Sequence, residues 1–94
     1  MIRAFVLYDE APDPQRYAEH VELCRQVPGA TFRHGKVFGA PMGDATHVYY
    51  AEFEWPDMAS FKAAATSPEF AATGKDAMAM GKRLTVQFAE LRES

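Results

Sequence analysis

His20 and Tyr17 stand three residues apart in a segment whose apolar positions repeat with helical spacing. A titratable imidazole on such a stripe, one turn from a phenol, could serve as general acid or base in a cleft between helix and sheet. The plainer account is a histidine bonded to a backbone carbonyl at the rim of the core, and position alone favours it. His34 and His47 fall on neighbouring strands. As metal ligands they would need a further convergent donor in a defined geometry, so no metal site is expected. Tyr49, Tyr50, Phe53 and Trp55 crowd one strand, and alternation places Tyr49, Phe53 and Trp55 on one face. There they could line an apolar ligand cavity while also serving as core and subunit interface. Phe61 and Met78 extend that candidate lining, although helical spacing assigns Met58 and Met78 to core filling. Cys24 lies on a buried stripe with no base beside it, which argues against a nucleophile. Gly35, Gly39 and Gly43 lack the strand-to-helix setting of phosphate-binding loops and read as turn and bulge positions. Glu52 and Glu54, alternate residues on a strand, are expected to face solvent.

The elements that carry these residues are legible from pattern and punctuation. Ile2 to Tyr8 is a strand with two apolar faces, Ile2, Ala4, Val6 and Tyr8 on one and Phe5 and Leu7 on the other. Asp13-Pro14 starts a helix that runs to about Gln26, with Tyr17, His20, Val21 and Cys24 on its inward stripe. Thr31 to Phe38 and Thr46 to Trp55 form two strands joined by the Gly39–Ala45 loop. Pro56-Asp57 opens a helix through about Ala65. Ser67-Pro68-Glu69 opens another, with Phe70, Gly74, Ala77 and Met78 on one side and an end near Gly81. Leu84 to Leu91 is the last strand.

Strand, helix, strand, strand, helices, strand is the order of the α+β, ferredoxin-like split β-α-β plan with a four-stranded antiparallel sheet. Helices cover one face of such a sheet, and the first strand offers apolar residues to the other as well. An exposed apolar face of that size calls for a partner. Two sheets packed face to face about a two-fold axis would supply it, giving a homodimer whose paired sheets form a dimeric α+β barrel.

Composition sets the outer bounds. Ninety-four residues make one domain, 1–94, with no repeat or linker. A chain this short has a limited core, and its single cysteine excludes an internal disulfide framework, which again favours self-association. Ten Lys and Arg against thirteen Asp and Glu, with no basic cluster, exclude a nucleic-acid footprint. The longest apolar run, Ala4 to Tyr8, is too short for a membrane span, and no signal-peptide core is present, so a cytoplasmic setting is expected.

Tyr17-x-x-His20-x-x-Leu23, Gly29, the Gly39-x-Pro41-x-Gly43 loop, the aromatic third strand, Ser67-Pro68-Glu69 and Asp76, taken in order, resemble the EthD family. That family is named for ethyl tert-butyl ether degradation and sits within the dimeric α+β barrel superfamily. The similarity spans Ile2 to Leu91, with Glu22 standing where a proline is usual in the family. It implies a homodimeric barrel that takes a small hydrophobic or carbonyl-bearing molecule, and a functional link to a cytochrome P450 system that degrades ethers. It retains His20 and adds Asp76 as site residues. Related barrels include cofactor-independent monooxygenases, isomerases and haem-degrading enzymes. The last depend on an asparagine, and this chain has none. No flavin, nicotinamide or haem motif is present, so no cofactor is expected, and an oxidoreductase or isomerase label rests on family association alone. Two functions follow: a catalyst with His20 and Tyr17 as its reactive pair, or an accessory protein that binds a hydrophobic compound for a monooxygenase system.

Overall fold

The computed structural model describes residues 1–94. In chain order the elements are β1 (Ile2–Tyr8), α1 (Pro14–Cys24), β2 (Thr31–Lys36), β3 (Tyr49–Trp55), α2 (Met58–Ala65), α3 (Pro68–Ala79) and β4 (Leu84–Glu90). The strands form one antiparallel sheet in the order β2-β3-β1-β4, which is the ferredoxin-like plan. Each helix starts where local chemistry demands it. The side chains of Asp13, Asp57 and Ser67 accept from the backbone N–H groups of Arg16, Ser60 and Phe70, and Pro14 and Pro68 occupy first-turn positions. The hairpin strands are shorter than expected, ending at Lys36 and resuming at Tyr49, although the Val37 N–H still donates to the Val48 carbonyl at 3.1 Å. No helix is long and apolar enough to cross a membrane.

The helices cover the face formed by Ile2, Ala4, Tyr8, Ala51, Phe53 and Trp55, all buried. Trp55 is fully enclosed, with Phe61 and Phe70 edge-on to its ring at 5.2 and 5.9 Å. Its indole N–H donates to the Pro28 carbonyl at 3.1 Å. The turn after α1 brings that carbonyl into place through Gly29, whose φ of 72° favours glycine.

The opposite face departs from expectation. Phe5 and Leu7 lie there half-buried, but the centre is ionic rather than apolar. Arg3 stands across from Glu54, and Arg33 across from Glu52, as register partners on adjacent strands. Arg3 donates to Glu54 at 2.7 Å, Arg33 pairs with Glu52, and the Tyr50 hydroxyl donates to Glu52 at 2.7 Å. Glu52 is therefore only 7% exposed and Glu54 half-buried, where the pattern suggested solvent. Cross-strand arginines folded over the carboxylates account for the difference. Met78 is corrected too: it is 84% exposed, because Phe70, Thr73, Gly74 and Ala77 face inward and Met78 lies about 100° round the helix from Ala77.

Truncating Trp55 removes the centre of this core. Trp55→Ala is expected to cost about 3–5 kcal/mol in a denaturant titration. A loss below about 1 kcal/mol would show that the indole is not the keystone of the packing.

Candidate functional site

Arg16 and His20 are four residues apart on α1 and share one helix face; Asp76 faces them from α3. Arg16 grips the Asp76 carboxylate with both terminal guanidinium nitrogens, at 2.6 and 3.1 Å. His20 Nδ1 lies 2.8 Å from the Asp76 Oδ2 atom. The Arg16 guanidinium, more than any other group, holds the Asp76 carboxyl below the usual carboxylate range, with His20 adding to the effect and partial burial opposing it. An ionised carboxylate only accepts, so Nδ1 must carry the proton that bridges the two. His20 itself is 5% exposed, and no protein group hydrogen-bonds its Nε2.

His20 lines a cavity of about 190 Å³ between the helices and the covered sheet face, and Nε2 is the ring nitrogen left free by the bond to Asp76. Its walls are mostly apolar, with Phe32, Phe53, Phe70 and Phe88 contributing four rings. Tyr8, Cys24 and Thr73 also reach the wall. The Thr73 hydroxyl is already committed, donating to the Phe70 carbonyl at 2.7 Å. Burial pushes the Tyr8 phenol and the Cys24 thiol each up to about 12, so neither ionises at neutral pH. His20 is left as the one group there suited to moving a proton.

A wider cleft of about 470 Å³ lies on the other side of α1, against β2 and β3. Tyr17 and Tyr49 line this cleft and not the His20 cavity. Tyr17 packs its ring 5.7 Å from the His20 ring, but its hydroxyl is buried without a hydrogen-bond partner, and burial raises its pKa. His34 Nδ1 and the Tyr49 hydroxyl are 2.7 Å apart, whereas His47 pairs with Asp9 at 2.9 Å, so the two strand histidines serve different partners.

Of the residues singled out from sequence, the structure brings His20 and Phe53 to the cavity and places Asp76 behind the imidazole. Trp55 and Phe61 line neither opening. Phe61 instead supports the cavity from outside, edge-on to Phe88 at 5.1 Å. Met78 lies on the outer surface. Sequence reasoning missed Arg16, whose place one turn before His20 was a usable signal. It also missed Phe88 and Val86, which alternate on β4 toward the covered face.

No family model matches the chain, and no curated protein matches it. Solved structures do. A dimeric ferredoxin-like protein of unknown function from Jannaschia sp. shares 20% identity over 96% of this chain and 98% of its own, with a TM-score of 0.72. SnoaB from Streptomyces nogalater, a cofactor-independent oxygenase, shares 20% identity over 99% and 95%, with a TM-score of 0.59. These likenesses establish the class, a ferredoxin-like α+β fold. An EthD family protein from Bacillus halodurans is 31% identical over 98% of this chain and 99% of its own, with a TM-score of 0.80. The chain belongs to the EthD family.

The Asp76 carboxyl links stability to acid. Its folded pKa lies below its unfolded one, so its contribution is complete above about pH 4 and is lost as pH falls through the folded value. Asp76→Asn is expected to be less stable at pH 7 and to show a shallower loss below pH 4 in urea titrations. Parallel profiles for the two proteins would refute the clamp.

Proposed function

We propose that this protein binds a small hydrophobic or carbonyl-bearing compound in the His20 cavity and catalyses a cofactor-independent proton transfer on it. The observation that carries this reading is the part-buried Arg16–Asp76–His20 array, with the buried imidazole lining an apolar cavity and no protein partner on its Nε2. Nε2 takes a proton from a hydroxyl, or from carbon next to a carbonyl, and becomes an imidazolium paired with the Asp76 carboxylate. The ligand becomes an enolate or phenolate of matching charge, and the proton returns at oxygen or carbon. Return of the proton to a different atom completes an isomerisation, whereas in a cofactor-independent oxygenation the same anion would meet dioxygen. Asp76 acts as a positioning residue. Phe53 belongs to the binding wall, with Trp55 and Phe61 behind it; Tyr17, Tyr49 and Met78 have no part in the cavity.

The assembly we propose is a cytoplasmic homodimer, with the ionic sheet faces opposed in a barrel. Its dimeric ferredoxin-like neighbours and the part-buried charges of that face support this arrangement. A second reading keeps the cavity and drops the chemistry: an accessory protein that shields an ether or its product for a cytochrome P450 system. The position of Tyr17 outside the cavity favours it, since Nε2 then works with no second reactive group.

His20→Ala is expected to abolish the exchange of acetophenone's α-hydrogens with deuterated water, followed by NMR. Unchanged exchange would remove His20 from the site. Binding without exchange by the wild type would select the accessory reading. Native mass spectrometry is expected to give twice the 10.5 kDa chain mass. A monomer at micromolar concentration would overturn the barrel.

A further inference from the structure

We infer that the cavity selects a neutral, single-ring compound carrying a hydroxyl, a phenol or a stable enol, and discriminates against the corresponding ether. The inference rests on the reading of the His20 cavity as the functional site and names its ligand class.

Three features carry it. The first is the direction of the free hydrogen bond. The Asp76 carboxylate, doubly held by Arg16, accepts from Nδ1–H, so the neutral imidazole presents a lone pair at Nε2. A lone pair needs a donor. A phenol or enol O–H supplies one, whereas an ether oxygen only accepts and would displace water from Nε2 without replacing its hydrogen bond. The neighbouring hydroxyl of Thr73 does not compensate, because it already donates to the Phe70 carbonyl.

The second feature is size. A cavity of about 190 Å³ compares with the roughly 150 Å³ apolar cavities that hold benzene, and falls below the about 300–1,000 Å³ of drug-sized sites. One substituted ring fits. At edge strand β4, where Val86 and Phe88 are 49% and 58% exposed in the single chain, a second ring would find no further wall of this chain to rest on. The third is charge. No lysine or arginine lines the cavity, and the Arg16 guanidinium is spent on Asp76. A carboxylate ligand would enter an apolar space beside an existing anion with no cation to meet it.

The test compares phenol with anisole, its methyl ether, on the whole protein at pH 8, with histidine-ring 15N spectra recorded alongside. The expected result is a bare Nε2 on His20 and an affinity for phenol about tenfold above that for anisole, the worth of one hydrogen bond. Asp76→Asn supplies the control that a merely structural role would not move. Arg16 keeps its shorter bond, from Nη2 to the amide oxygen at the Oδ1 position, and gives up the longer one from Nη1; the amide N–H₂ at the Oδ2 position donates to Nδ1, and the proton moves to Nε2. The ring spectrum should show the opposite tautomer, and the preference for phenol should shrink or reverse. Equal binding of phenol and anisole, both shifting His20, would overturn this inference and leave the site reading standing. An imidazolium protonated at both nitrogens at pH 8, or 2-naphthol binding more tightly than phenol, would also overturn it. Failure of every probe to shift His20 and Thr73 would overturn the site reading itself.

Discussion

The Asp76 carboxylate is the point through which the two halves of the helical layer are joined. It takes two hydrogen bonds from Arg16 and one from His20, both on α1, while its own backbone belongs to α3. It thereby ties α1 to α3 across the helical layer. With it, the imidazole is held in one orientation and one tautomer, and the cavity beneath has a defined polar end. Fold and chemistry therefore share a single anion. Partial burial would favour the neutral acid, and the guanidinium is what keeps it charged.

Local interactions were the readable part of the sequence. Asp13, Asp57 and Ser67 cap helices because a side chain bonds to an N–H three residues on, and such pairs announce themselves in a linear string. The strand order followed from the same punctuation. The link from His20 to Asp76 spans 56 residues, and no spacing encodes it; only resemblance to a family brought Asp76 forward. Tyr17 illustrates a finer limit. Three residues of helix rotate a side chain by about 300°, so Tyr17 and His20 lie some 60° apart on one stripe. That angle turns His20 toward α3 and Tyr17 toward β2, into separate openings. A stripe wide enough to be core on both edges does not say which edge faces which space.

Alternation in the strands was similarly faithful on geometry and mistaken on environment. It correctly grouped Glu52 and Glu54 on the face away from the helices, and in doing so suggested solvent. What it could not include was the register of other strands, which sets Arg3 and Arg33 across from those carboxylates. Nor could it divide the aromatics of β3 by use: Phe53 reaches the cavity, Trp55 is sealed behind it, and Tyr49 serves the cleft beyond α1.

The ionic grid on the uncovered sheet face has a consequence at distances well beyond contact. The chain as a whole carries a net charge of −3, so two copies repel one another in most orientations. Arg3 and Arg33 cancel Glu52 and Glu54 within a few ångströms, and Thr31, Thr85 and Gln87 beside them bring no charge. The far field of that face is thus close to zero, while the excess of negative charge lies on the helices, loops and termini. A second anionic molecule drifting within a Debye length, about 8 Å in physiological salt, meets its least resistance from the sheet side. Orientation is in this way biased before any surface is buried, by the neutrality of one face rather than by attraction to it.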